Sequence, residues 1–394
     1  MDSHELIVIG AGVVGTGVAW QLAALGAGRV LVLERGQIGA GTTAQSSGIL
    51  RTHDSVPENV ELARRSWSVF ERFAEVLDDD EASAGLVRCG YLIAAPEGDR
   101  LEPLRAALAA QQAQGIPVQL LDAAQATARL PICRFDDAAL IGFEPEAGFA
   151  DAYLVATSFA RAARRRGVRI LEGVEAQGLR LQGGCVTGVE TAQGRFDAPV
   201  VVSVQNICAG ELERWTGISV PVVAERHRVF ALEGPQPYGF GMPVYKDLGS
   251  PGMLYFRSYG GRQMLVSEGG AGETLAAPDT EPGDIDLDAV AEIGAQAAER
   301  FPSFETAGLA SAWIGVYDVT PDWNPVLGAV PEVPGLVVGF GFSGHGFKLS
   351  PAVGRVLAQQ ALGLKTDVSL APYALERFRG GRLLTGRYGS GAVS

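Results

Sequence analysis

A chain of 394 residues is too long for one ordinary core and suits two intergrown domains. Its 47% hydrophobic and 20% charged residues read as globular, and 32 basic against 45 acidic side chains (net charge −13) exclude the basic surface that nucleic-acid binding needs. Four cysteines, Cys89, Cys133, Cys185 and Cys208, stand apart with no Cys-x-x-Cys spacing, which argues against a disulfide framework or a metal site and fits a reducing cytosol.

The predicted elements begin with a buried strand at 5–9 (ELIVI), a helix at 13–25 and a second buried strand at 29–33 (RVLVL). This is a βαβ unit with a parallel sheet. The N-terminus enters that strand at once, with no long apolar stretch and no cleavage site, so neither a signal peptide nor a membrane span is expected and the location reads as cytoplasmic. An amphipathic helix follows at 57–77, a strand of a different sheet at 90–94, and short helices at 100–114 and 122–129. A helix at 151–166 and a strand at 168–171 lead into alternating segments broken by Gly-Gly and Gln-Gly, a β-meander that ends in the buried strand 200–204. Antiparallel strands are expected at 222–232, 253–257 and 262–267, helices at 286–300 and 351–362, and a frayed glycine-rich tail from 379. The fold class is α/β, α+β overall: a Rossmann-like domain with a parallel sheet and meander (1–84, 151–216 and 321–394), interleaved with a domain on a mixed or antiparallel sheet (85–150 and 217–320).

Gly10-Ala11-Gly12-Val13-Val14-Gly15 is G-x-G-x-x-G, placed between the first strand and the first helix. Gly10 permits the turn, Gly12 lets backbone approach a pyrophosphate, and Gly15 lets helix and sheet pack closely. The helix start, Val14 included, offers free N–H groups and a partial positive charge to phosphates. Glu34, beside Arg35, ends the second strand, where a carboxylate accepts hydrogen bonds from ribose hydroxyls. The stretch from Gly39 through Thr42, Thr43, Ser46, Ser47 and Gly48 is a long loop of small residues, suited to lying along an extended dinucleotide and longer than an NAD-only domain requires. Val174, Ala209 and Gly210, at two later returns of the chain to the parallel sheet, complete the candidate cofactor set.

Four segments in order, VIGAGVVGTGVAWQLA, VLERGQIGAGTTAQSSGILR, WIGVYDVTPDWNPVLG and GLVVGFGFSGHGFKLSPAVGRVLA, make the chain resemble the D-amino-acid oxidase superfamily, and within it the sarcosine oxidase and glycine oxidase branch. The resemblance implies FAD, an amino-acid-like substrate, hydride transfer from the carbon next to nitrogen to flavin N5, and an imine that hydrolyses. It implies that Arg51 and Lys348 hold the substrate carboxylate, for which a planar guanidinium is suited, and that Tyr317 and Tyr255 line the substrate cavity. Simpler roles stay open: a surface salt bridge for Arg51, flavin contact alone for Lys348, and core packing for the tyrosines. In Gly344-His345-Gly346-Phe347-Lys348 the glycines allow close approach, and backbone N–H groups at the next helix start would face the flavin, with Pro351 in the first turn. His345 is either a flavin neighbour or a packed histidine.

The chain departs from the family pattern at two places. Gly315 and Val316 stand where the monomeric sarcosine oxidases carry a flavin-bonding cysteine, so FAD is expected to be non-covalent. Met264 or Leu265, with Arg262 nearby, stands where those oxidases place an oxygen-activating lysine, leaving oxygen or another electron acceptor open. Two further readings compete: a 2-hydroxy-acid dehydrogenase of the same fold, with His53 or His345 as base, and a flavoprotein subunit of an electron-transfer complex.

Overall fold

The computed structural model describes residues 3–54, 56–277 and 283–386. A six-stranded sheet runs in the order Val326–Ala329, Leu336–Phe340, Val200–Ser203, Leu6–Ile9, Val30–Glu34, Arg169–Glu172. Every pair is parallel except the first. The central strand Leu6–Ile9 is buried along its whole length because helices cover one face and the meander the other. The meander is its own three-stranded antiparallel sheet, 176–182, 185–191 and 194–197.

Two helices lie side by side on the first face. Val13–Ala24 and Gly346–Ala361 meet where Gly17 faces Gly354, and a Cβ on Gly354 would stand 2.7 Å from the Gly17 carbonyl carbon. That approach brings both helix starts to one end of the parallel sheet.

A nine-stranded mixed sheet holds most of the remaining strands, while Ile49–Leu50, Gly148–Phe149 and Val87–Arg88 form a small sheet of their own. Its long strands Val223–Glu233 and Gly308–Val319 pair antiparallel, then come Gln263–Ser267, Tyr255–Gly260, Val244–Asp247, Tyr91–Ala95 and Leu140–Glu144. Strands 140–144, 244–247 and 308–319 lie outside the elements expected from sequence, because Pro and Gly interrupt their flanks and their apolar residues do not alternate cleanly.

Three expectations need correction. The helix expected over 57–77 is two, Pro57–Glu71 and Phe73–Leu77, separated by Arg72 at ψ 38°. The last long helix begins at Gly346, five residues before the position read from sequence, so Pro351 lies inside it. The carbonyl of Phe347, left without a donor by that proline, accepts the Ser350 hydroxyl at 2.9 Å. The tail is partly tied down: the Leu384 N–H donates to Asp322 Oδ2 at 3.0 Å, while 387–394 lie outside the described residues.

Candidate active site

Two cavities share Gly12, Thr42, Thr43, Val204 and Asn206 and so run together past the glycine loop. The loop conformation needs its glycines. Gly10 has φ +101°, and a Cβ on Gly15 would stand 1.9 Å from the Gly10 carbonyl oxygen. The Thr43 hydroxyl accepts the Val13 N–H at 3.0 Å, which leaves the Val14 and Gly15 N–H groups of the first turn without an intrahelical acceptor, beside the cavity. Glu34 accepts from the Ala11 and Gly36 N–H groups, one on each carboxylate oxygen at 2.7 Å, and lines the second cavity with Gly10 and Arg35. Both oxygens keep a lone pair for a ribose hydroxyl. These features fit a long dinucleotide.

Thr42, Thr43, Ser46 and Ser47 line the cavity, and Gly48 does not. Its φ of +72° and a Cβ position 2.1 Å from the Ala150 carbonyl oxygen give it a packing reason. Val174, Ala209 and Gly210 are also absent from the walls. Their neighbours Glu175, Ala176, Gln177, Cys208 and Glu211 line the second cavity instead. Val174 and Ala209 belong to the hydrophobic core under the sheet.

Gly344, His345, Gly346, Phe347 and Lys348 all line the first cavity, opposite the glycine loop. The helix from Gly346 has no side-chain cap, so its first N–H groups are open to a ligand. The Lys348 ammonium donates to Asp54 Oδ2 at 2.8 Å, with both groups buried. Burial and then Arg51 lower the lysine to about 8, while Asp54 stays well below the usual carboxylate range: Lys348, His345 and Arg51 outweigh burial, the largest single influence, which acts the other way. His345 is pushed to about 3 by burial and then by Lys348, so its ring is neutral. Its Nδ1 lies 3.7 Å from Asp54 Oδ2 and makes no hydrogen bond.

Arg51 follows the short strand Ile49–Leu50 and lines the same cavity. It is buried, donates to the His53 carbonyl, and places its guanidinium 5.5 Å from the Tyr91 ring centre. A surface salt bridge is therefore excluded for it. Its surroundings are fixed by Glu144, which accepts from the Thr52 and His53 N–H groups and the Thr52 hydroxyl. Tyr255 and Tyr317 both face this cavity. The His227 ring stacks on Tyr317 at 4.0 Å. Asp318, on the same strand as Tyr317, is raised to about 7 by burial and accepts the Gly341 N–H at 2.6 Å, tying that strand to the glycine-rich C-terminal motif.

Lys246 is the lining cation that the sequence reading passed over. It lies on Val244–Asp247, paired across the sheet with Tyr255. The positions expected to matter do not supply a cation to the cavity: Arg262 pairs with Glu233 at 2.9 Å, Leu265 packs with Val229 and Tyr255, and Met264 points into the core on the other face. Scarcity was the signal available, since the chain has three lysines, Lys246, Lys348 and Lys365, and two of them line this one cavity.

No helix among the described residues is long and apolar enough to cross a membrane. The sequence matches the family described as FAD dependent oxidoreductase (DAO) over residues 5–360. It is similar to mitochondrial sarcosine dehydrogenase of Mus musculus, 28% identical over 391 residues, covering 96% of this chain and 42% of that protein; the chain thus spans about two fifths of the length of that relative. It is similar to sarcosine oxidase subunit beta of Arthrobacter sp, 28% identical over 405 residues, covering 100% of this chain and 95% of the subunit. Among solved structures, L-proline dehydrogenase from P. horikoshii superposes with a TM-score of 0.88 at 25% identity, covering 97% of this chain and 99% of that one. The chain belongs to the DAO family of FAD-dependent oxidoreductases, and is an enzyme with FAD as its cofactor.

Proposed function

We propose that the enzyme oxidises the C–N bond of an amino acid or N-substituted amino acid of the sarcosine, glycine or proline kind. Hydride leaves the carbon next to nitrogen, a proton leaves the nitrogen, and the imine takes up water. The observation that carries this reading is the convergence of Arg51 and Lys348, both buried, on the cavity that also receives the open N–H groups of two helix starts. When bound, FAD supplies the two-electron acceptor. The residues to hold it are the 10–15 loop, Glu34, Arg35, Thr42, Thr43, Ser46 and Ser47, and 344–348; no cysteine stands at 315 or 316 to bond it, in keeping with non-covalent binding.

The chain's own groups have three tasks. Arg51 and Lys348 grip the substrate carboxylate, the arginine with two parallel donors. The same positive charges disfavour an ammonium beside them, so the bound amine is kept neutral, the form whose lone pair can assist hydride departure. Tyr255 and Tyr317 offer hydroxyls to orient the substrate, and the wall of aromatic rings excludes water. The division of the chain into a cofactor unit (1–84, 151–216, 321–394) and a substrate unit (85–150, 217–320) belongs to the same proposal. It is supported by the separation of the six-stranded and nine-stranded sheets.

A 2-hydroxy-acid substrate would need a base. The candidates serve it poorly: His345 is lowered to about 3, and His53, also lowered to about 3, is bonded to Gln111 outside the cavity lining. The test is anaerobic addition of sarcosine, glycine, proline, N-methyl and D-amino acids to the FAD-loaded protein, with 2-hydroxy acids in parallel. Bleaching of the flavin's visible band by an amino acid is expected; bleaching by hydroxy acids alone overturns the reading. Admitting air afterwards separates an oxidase, which recolours fast, from a dehydrogenase, which recolours slowly.

A further inference from the structure

We propose that the substrate carries two anionic groups, and that Lys246 binds the second of them while Arg51 and Lys348 hold the first. The inference rests on the function proposed above and deepens it: the substrate class narrows to amino acids with a second carboxylate, on the side chain or on the nitrogen substituent.

Three cations line the first cavity, Arg51, Lys246 and Lys348, and Asp318 is the one carboxylate among its lining residues. Asp318 is raised to about 7 by burial and already receives the Gly341 N–H. Asp54 serves Lys348. Among the described residues, Lys246 has no ion pair and no hydrogen bond to its ammonium, although it is 3% exposed. Its chain neighbour Asp247 is occupied on the other face of the sheet by Arg300 at 3.0 Å. A buried ammonium without an acid is costly, and an anionic ligand beside it would offset that cost.

Geometry sets where that ligand lies. Lys246 and Tyr255 are direct cross-strand partners, with the ammonium 5.8 Å from the tyrosine ring centre. Gly269 makes room for it, since a Cβ there would stand 1.9 Å from Nζ. Arg51, over the Tyr91 ring, and Lys348, on the helix from Gly346, line the same cavity. A substrate with two carboxylates can meet Lys246 with one while Arg51 and Lys348 hold the other. Lys246 is lowered to about 7 by burial, then by Arg51 and Arg100, with Asp247 acting the other way. The remaining groups around it are Tyr255, His227 and His345, and both histidines are neutral near pH 7. An anion beside the ammonium would raise it again.

The test uses inert ligands that differ by one carboxylate: oxydiacetate against methoxyacetate, succinate against butyrate, and glutarate against valerate. Affinities for the FAD-loaded protein are measured by titration calorimetry at about pH 6, where Lys246 is charged. At least one dianion should bind about tenfold more tightly than its partner. In Lys246→Met that preference should fall to near unity while monoanion affinity is kept, and in Lys246→Arg the preference should be restored. No dianion preference in the wild type, or one that survives in Lys246→Met, overturns the proposal and leaves the Arg51 site standing. Monoanion affinity unchanged in Arg51→Ala overturns the carboxylate site, and the two-anion proposal with it.

Discussion

Where the six-stranded sheet meets the cavity the lining is largely backbone: the glycine loop 10–15, the open N–H groups of two helices, and small hydroxyl side chains from 42–47. Where the nine-stranded sheet meets it the lining is side chains: Tyr91, Lys246, Tyr255 and Tyr317, each from a different strand. One wall is defined by what must be absent, a Cβ, and it belongs to a cofactor that is the same in every turnover. The other is defined by which large side chains are present, and any of them can change without disturbing the strand that bears it. On the proposed reading, main-chain geometry holds the cofactor, while strand side chains together with Arg51 and Lys348 select the substrate.

The largest effect should come from breaking the backbone wall. In Gly15→Val the Cβ would meet the Gly10 carbonyl oxygen at 1.9 Å, so the loop cannot keep its shape. The purified variant should be colourless, and FAD affinity by fluorescence quenching should fall at least ~100-fold, equivalent to about 3 kcal/mol. Retention of yellow colour would show that the loop is not the cofactor cradle.

Next in size is the charge pair beneath the helix from Gly346. Asp54→Asn leaves the Lys348 ammonium buried without its acid and should cost about 3 kcal/mol in denaturant unfolding at neutral pH. Without Asp54 the lysine falls further below about 8, so the loss should shrink as pH rises towards about 8 and level off above it.

A smaller effect separates the histidine behind Tyr317 from the chemistry in front of it. His227 is lowered to about 4 by burial and then by Lys246. Between pH 6.5 and about 4 the unfolded chain holds a proton on this ring that the folded chain does not, so acidification lowers stability over that window. His227→Phe keeps the stacking and removes the titration. Its stability relative to the wild type should rise by about 2 kcal/mol between pH 7 and pH 5, read from denaturant curves at both. A parallel pH response in both proteins would mean the ring is protonated in the fold.

The same contrast explains what the sequence made legible. The βαβ unit, Glu34 and the 344–348 motif were readable because each is a contiguous string whose residues act through local backbone geometry. Arg51 and Lys348 were readable because they stand within or beside those strings. Lys246 was not, because the strand at 244–247 is four residues long, follows a proline, and gains meaning only when Tyr255 and the helix at 346 are brought opposite. Val174 and Ala209 lie in the core and not on the cavity wall for a related reason: near the sheet a shift of one or two positions moves a side chain from cavity to core. Pro351 misled because a proline suits a helix start, whereas here Ser350 supplies the donor that lets it sit one turn deeper.

The most direct test of the account is anaerobic stopped-flow reduction of the FAD-loaded enzyme by its best amino-acid substrate and by the matching amine without the carboxylate, in the wild type and in Arg51→Ala. The account predicts that the amino acid reduces the wild type at least ~100-fold faster than the amine at equal subsaturating concentration, and that Arg51→Ala removes most of this advantage without changing the amine's own rate. An amine that reduces the wild type as fast as the amino acid, or an advantage untouched in Arg51→Ala, would contradict it.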